Sequence, residues 1–323
     1  MSTTPNSSTK AQTSHWADIK ESGTYTGMRW MLIAYKLGGK WLFKPLLLPV
    51  IVYYFFANKN ARRSSNDYLS RLKKFSPDIH QDLGCSRLLS FKHLWCFGDL
   101  LLDKLAVWMG DISINDVTVH NGALMNTMLE QKRGAVLLIS HLGNFEICRA
   151  LNSKHRDMKL TILIHTKHAQ KFNQLLQQYD DSNSANIKLL QVTELNAATA
   201  MELSERIGQG GFIAIAADRI AIDNPIASTH VDFLGASAAF PRGPFLIAAI
   251  LKAPLISLQC IRLKGRYHIH FDSLSEAVKA SRRERDELIT QLTKDFAQLL
   301  QKYCLQAPLQ WFNFFTFWSS NEK

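Results

Sequence analysis

Cysteine is scarce and scattered in this chain: Cys85, Cys96, Cys148, Cys260 and Cys304 are odd in number and widely spaced, with no Cys-x-x-Cys among them. No secretory leader stands in the polar stretch Met1 to Ser14, so a disulfide framework is not expected and a reducing, cytosolic-side location is. Other absences narrow the field further. No Gly-x-Gly-x-x-Gly follows a strand-like run, which leaves a dinucleotide site without support, and Gly208-Gln-Gly-Gly211 reads instead as helix C-cap chemistry. No Gly-x-Ser-x-Gly elbow is present, so Ser140 has no setting as a hydrolase nucleophile. No internal repeat is visible. No apolar run reaches the about 20 uninterrupted residues of a transmembrane helix, because Lys44, Pro45 and Pro49 break the greasiest segment, Trp41 to Ala57.

Acidic charge is also short, with 27 Asp and Glu against 38 Lys and Arg, and the imbalance is local. Residues 1–75 carry twelve Lys and Arg against Asp18, Glu21 and Asp67. Lys36, Lys40 and Lys44 lead into the apolar segment, and Lys59, Arg62 and Arg63 follow it. An aromatic-rich apolar segment bracketed by cations suits an anionic membrane interface, whereas a nucleic-acid surface would not need the grease. A monotopic or re-entrant anchor is therefore expected, with a buried helical hairpin as the plainer reading.

Three regions are expected: a disordered tail at 1–15, a helical membrane-anchoring region at 16–75 broken at Gly38-Gly39, and an α/β domain at 76–323. Ser86 to Trp108 reads as a further amphipathic helix. Thereafter strand-like runs at Ile112–Val119, Ala135–Ser140, Leu160–His165, Ile187–Gln191, Phe212–Ala217 and Pro254–Arg262 alternate with helical patterns at Gly122–Gln131, Phe145–Asn152, Ala169–Tyr179, Glu194–Ile207 and Pro244–Leu251. That alternation predicts a mostly parallel central sheet flanked by helices.

The chemistry concentrates at Ala135-Val-Leu-Leu-Ile-Ser-His141-Leu-Gly-Asn-Phe-Glu146. An apolar strand ends at a histidine, and Asn144 is a good N-cap for a following helix. Five residues at roughly 100° each would put His141 and Glu146 about 140° apart on one regular helix, so the pair implies a strand-to-helix turn. His141 is the candidate general base, since its unperturbed pKa lies near neutrality, and Glu146 the candidate partner that fixes its tautomer. The helix opening near Asn144 is expected to present amide N–H groups to an oxyanion, with Gly143 admitting substrate to the backbone. Asp218 and Arg219 end a second apolar run as His141 ends the first, and parallel strands would bring both ends into one crevice. The fork of Arg219 suits a phosphate or carboxylate, although a local ion pair with Asp218 is the plainer reading.

At these residues the chain resembles the lysophospholipid acyltransferase superfamily, whose first motif is His-x-x-x-x-Asp/Glu, and within it the bacterial branch of lipid A late acyltransferases and the acyltransferases of aryl-polyene and related lipid clusters. Ser140-His-Leu-Gly-Asn-Phe-Glu146 carries the likeness. So do Trp16 to Gly23, Tyr54 to Tyr68, Ala217-Asp-Arg219, Val231-Asp-Phe-Leu-Gly235, Phe240-Pro-Arg-Gly-Pro244 and Pro308-Leu-Gln-Trp-Phe-Asn-Phe. The resemblance implies a glycerol-3-phosphate acyltransferase-like fold and transfer of a fatty acyl chain from acyl carrier protein or coenzyme A to a lipid or lipid-linked acceptor. The co-substrate thioester would be the donor, with no separate cofactor. The place implied is the cytoplasmic face of a bacterial inner membrane. Phe233, Gly235, Arg242 and Gly243 fall in its later motifs and are candidates for the acceptor or acyl pocket. A lipid-binding scaffold without turnover is the alternative.

Three further features have bland readings. His268-x-His270 and His165-x-x-His168 lack an accompanying Cys or carboxylate at ligand spacing, so no metal is expected. Cys148 and the aromatic run Trp311 to Trp318 read as packing, the latter in the core and at a membrane edge.

Overall fold

The computed structural model describes residues 25–78, 88–148, 158–164, 187–220, 228–279, 281 and 283–318. The expected tail at 1–15, the His165/His168 pair and the helix at Ala169–Tyr179 lie outside these residues.

Seven strands form one sheet in the order β1-β9-β8-β2-β5-β3-β4. They are β1 (Val117–His120), β2 (Ala135–Ile139), β3 (Leu160–Ile164), β4 (Ile187–Gln191), β5 (Phe212–Ala216), β8 (Leu255–Leu263) and β9 (Arg266–Ser275). Every neighbouring pair is parallel except β8 and β9, a hairpin turned at Lys264-Gly265 with φ of 49° and 81°. The expected mostly parallel sheet flanked by helices is thus found. A separate antiparallel hairpin, β6 (Ser228–Phe233) and β7 (Ala236–Pro241), turns at Leu234-Gly235 with φ of 53° and 75°. Two successive positive φ values match the right-handed twist of the flanking strands, which is why glycine stands at the second position of both turns.

The central strands are apolar on both faces because helices cover both. Val136 and Leu138 of β2, with Ile213 and Ile215 of β5, face one core, and the alternating Ala135, Leu137, Phe212 and Ala214 face the other. The first core is completed by α5 (Ala197–Gly208), α6 (Gly243–Leu251), α7 (Arg285–Gln306) and Tyr68, Leu69 and Leu72 of α2 (Lys59–Phe75). The second is completed by α1 (Tyr25–Ala57), α3 (Leu89–Trp108) and α4 (Gly122–Glu130). The result is a three-layer sandwich.

Helix α1 breaks at Gly39, whose φ of 56° and ψ of −151° are non-helical, as the Gly38-Gly39 pair predicted. Its inner face carries Tyr35, Phe43, Leu47 and Ile51 onto α3, where Gly98 leaves room for the Leu47 and Ile51 methyls. Its outer face exposes Trp41, Tyr53 and Phe56, Trp41 to 92 %. No single helix among the described residues is long and apolar enough to cross a membrane; Trp41–Ala57 and Lys59–Phe75 meet at 90°.

Two expected elements are shorter than their patterns. Ser113 forms a capping box with Asp116 and turns Ile114–Asp116 into a 3-10 helix, so β1 starts only at Val117. The helix expected from Phe145 is, among described residues, a 3-10 turn over Phe145–Ile147.

Candidate active site

Strands β2 and β5 run in parallel with Ile139 opposite Ala216, and two residues beyond each lie His141 and Asp218. The register therefore brings together the two ends that the sequence suggested would share a crevice. Asp218 Oδ1 accepts from His141 Nδ1 at 2.8 Å, and Oδ2 accepts from the His141 backbone N–H at 2.8 Å and from Trp311 Nε1 at 3.0 Å. Because an ionised carboxylate only accepts, Nδ1 carries the proton and Nε2 is left as the basic nitrogen. The His141 side chain is 36 % exposed while Asp218 is 1 % exposed. One end of the pair is open and the other is sealed.

The electrostatics follow from this geometry. Burial and the Arg219 charge push the His141 pKa down, and Asp218 opposes them without reversing the shift. Burial alone would raise the Asp218 carboxyl, but His141, Arg219 and the donated hydrogen bonds hold it below the usual carboxylate range. At neutral pH the pair is thus a carboxylate under a neutral imidazole. Arg219 is partly buried beside Asp218, whose charge opposes the lowering of its pKa by burial; it donates to the Phe312 carbonyl at 2.9 Å and its guanidinium lies 5.3 Å from the Phe315 ring centroid.

Glu146, expected to orient His141, instead pairs with Lys104 of α3 at 2.9 Å. The orienting carboxylate comes from the neighbouring strand, since the chain turns after His141 as an extended loop and not as a full helix. Around that turn five backbone amides are already used. Leu142 N–H donates to Ser140 Oγ, Gly143 N–H to the Gln310 carbonyl, Asn144 N–H to the Cys260 carbonyl, Glu146 N–H to Asn144 Oδ1 and Ile147 N–H to the Asn144 carbonyl. These groups do not form the anion-binding helix opening that the sequence suggested. Asn144 is a buried brace, donating from Nδ2 to the Leu100 carbonyl at 3.1 Å. Strand β8 approaches Gly143 closely: at its φ of 70°, an added Cβ would stand 1.8 Å from the Cys260 carbonyl oxygen. Ser140 donates to Gln259 Oε1 at 2.5 Å, which engages its hydroxyl in the sheet.

A C-terminal strap closes the inner side. Leu142 and Trp311 form an antiparallel bridge, and Phe312 N–H donates to the His141 carbonyl at 2.9 Å. Gln310 grips β8 by its side chain, accepting from Arg262 N–H at 2.8 Å and donating to the Arg262 carbonyl at 2.7 Å. Arg262 itself bonds Asp99 and Asp103 of α3, so strap, sheet and helix layer are tied at one cation. His93 and Lys104 were not distinguished by the sequence, where isolated polar residues on apolar helices look like ordinary packing, and Gln310 and Trp311 were marked only within the Pro308-Leu-Gln-Trp-Phe-Asn-Phe likeness and an aromatic run read as packing.

The later candidates lie on other elements. Phe233 is fully buried on β6, with its ring centroid 5.2 Å from that of Trp311, so it reaches the site at one remove. Gly235 serves the β6–β7 turn. Arg242, at the start of α6, bonds Asp286 at 2.6 Å and Thr229 at 3.3 Å, and Gly243 opens that helix. None of these four polar or backbone groups has a described bond to His141 or Asp218. His268 and His270 stand beside His120, with His120 and His270 stacked at 4.2 Å and His120 Nε2 3.0 Å from His268 Nδ1. Among the described residues no group of three or more His, Cys, Asp or Glu could hold a metal ion.

The sequence profile of bacterial lipid A biosynthesis acyltransferases matches residues 103–320, about two thirds of the chain, including His141, Asp218 and Trp311. The chain belongs to that family. No curated protein matches it in sequence. For a member of the lipid A biosynthesis acyltransferase family, the coarse assignment is an acyltransferase with a lipid acceptor. The open histidine over a sealed carboxylate is the feature of this acyltransferase through which that assignment meets the geometry.

Proposed function

We propose that this acyltransferase moves a fatty acyl chain from an acyl thioester, carried by acyl carrier protein or coenzyme A, to a hydroxyl or amine of a lipid acceptor, with His141 as general base. The observation that carries the reading is the His141–Asp218 pair. Nδ1 is held protonated by a buried carboxylate, and Nε2 stands on the partly open side of a ring whose pKa is lowered. A base must be unprotonated at working pH and within reach of the proton it takes. As the acceptor attacks the thioester carbonyl, its proton passes to Nε2, and the imidazolium so formed is stabilised by Asp218. Collapse of the tetrahedral intermediate expels the thiolate, which the imidazolium reprotonates. No enzyme nucleophile and no cofactor enter the scheme. Glu146, paired with Lys104, fastens the His141 loop to α3.

The setting we propose is the cytoplasmic face of a bacterial inner membrane. The exposed aromatic face of α1 and the cations around it support attachment without a span.

Purified protein supplied with an acyl thioester and an extract of bacterial membrane lipids is expected to release free thiol and to yield a lipid heavier by one acyl chain. His141→Ala should reduce the rate by about 10²–10⁴. Lipid binding without thiol release, identical in wild type and His141→Ala, would leave a scaffold and not an enzyme.

A further inference from the structure

The third donor to Asp218 comes from the far end of the chain. Trp311 is completely buried, and an indole N–H placed in a core needs a partner, so a phenyl ring would be the simpler residue if packing were the only demand. Its N–H is aimed at Asp218 Oδ2 at 3.0 Å. The ring is locked in that direction by edge-to-face contacts with Tyr68, Phe233 and Phe317 at centroid distances of 5.0, 5.2 and 4.9 Å. Its backbone is locked as well. The Trp311 carbonyl accepts from His93 Nε2 at 2.9 Å, and His93 Nδ1 accepts from the Ser65 hydroxyl at 2.9 Å. The strap carrying the indole is therefore fastened to α3 and α2 on one side and, through Leu142, to the catalytic loop on the other.

Resting on the reading of His141 as the base, we infer that Trp311 is a positioning residue: its indole N–H fixes the rotation of the Asp218 carboxylate and draws off part of its charge, and so sets the basicity of His141. Without the indole, Oδ2 keeps only the backbone N–H of His141, and the carboxylate carries more charge toward Nδ1. A fuller negative charge beside the ring favours imidazolium, so the His141 pKa rises. The other groups facing the pair give this effect little competition at neutral pH. Arg219 lies at the end of β5 and is unchanged by the substitution. Cys304 of α7 and Tyr68 of α2 are kept protonated by burial, and His93 of α3 is kept neutral by burial. Lys104 and Glu146 compensate one another.

The test uses full-length protein in detergent micelles with histidine labelled at ¹³Cε1, the His141 signal being identified by its loss in His141→Asn. In Trp311→Phe the midpoint of the His141 titration is expected to rise by about half to one pH unit, and kcat to fall about tenfold with KM kept, the size expected for one hydrogen bond to a charged group. In an Asp218→Asn background the same substitution should cost nothing further. Trp311→benzothienylalanine, which keeps the bicyclic shape and lacks the N–H, repeats the measurement should the phenyl variant fold poorly. An unmoved His141 midpoint in a folded variant, or an equal loss with and without Asp218, overturns the inference. Absence of thiol release by the wild type would sink the proposed reaction, whereas the titration midpoints decide the role of Trp311 independently of turnover.

Discussion

Asp218 and Glu146 divide a task that the sequence assigned to one carboxylate. Asp218 is sealed from water under three donated hydrogen bonds, one of them from His141 Nδ1, whereas Glu146 is bound to Lys104. Asp218→Asn is thus expected to lower kcat by about 10³–10⁴ through loss of the correct tautomer, as for the carboxylate of a catalytic triad. Because Asp218 is the group that raises the His141 pKa, the acid limb of the pH–rate profile should move to lower pH in Asp218→Asn, the opposite of the shift expected for Trp311→Phe. A limb that stays in place would mean that another group titrates. At Gly143 the demand is steric, since a side chain would collide with the Cys260 carbonyl at a positive φ. Gly143→Ala should cost about 3 kcal/mol or more of stability, read as a lowered denaturation midpoint, even though position 143 is not itself a chemical participant. The histidine was legible from sequence because it ends an apolar run. Its carboxylate partner was not, because five residues of separation along the chain is a weaker constraint than two residues past neighbouring strands in register.

Elements built from unbroken apolar runs were legible for the same reason that they are central. Ala135–Ile139, Leu160–Ile164 and Phe212–Ala216 are strands covered on both faces, so composition alone marks them. The hairpin β6–β7 and helix α7 carry mixed patterns, with one face toward solvent, and were not marked. The short 3-10 turn after Asn144 was read as a helix because its capping residue is the same for both; what differs is that the Gln310 and Cys260 carbonyls hold the Gly143 and Asn144 amides that lead into it. For α1 the sequence and the structure agree on a break at Gly39 and on an apolar face with flanking cations. Replacing exposed Trp41, Tyr53 and Phe56 together by Ser should release the protein from vesicles containing phosphatidylglycerol in a flotation assay, with the melting temperature kept, because none of the three side chains is buried. Undiminished flotation of the triple variant would remove this face as the attachment surface.

Across the whole molecule, buried imidazoles link stability to acid. His93 is fully buried between Ser65 and the Trp311 carbonyl, and burial pushes its pKa down to about 4, the hydrogen bond to Trp311 opposing; His270 is likewise pushed to about 4 by burial and by His120. A group whose folded pKa lies below its unfolded value contributes fully above the unfolded pKa, and that contribution is lost as pH falls toward the folded one. Unfolding free energy should therefore decline between about pH 6.5 and pH 4. His93→Gln should flatten part of that slope while lowering stability at pH 7, measured by urea melts across the window. A slope identical to wild type would show that His93 does not stay neutral in the fold. Asp218 acts in the opposite chemical sense but in the same direction: its depressed pKa supports the fold above the carboxylate range and is lost at stronger acid.

The strap also fixes when the site can exist. His93 and Trp311 are 218 residues apart in sequence, yet His93 Nε2 donates to the Trp311 carbonyl, and Leu142 waits on the same segment for its pairing partner. A chain emerging from the ribosome at about 5–20 residues per second has displayed His141 and Asp218 for several seconds before residue 311 leaves the exit tunnel. During synthesis the His141–Asp218 pair stays unbraced until the strap arrives, so the acyl transfer proposed for it would begin as a late event of translation, after α1 has had time to find its resting place.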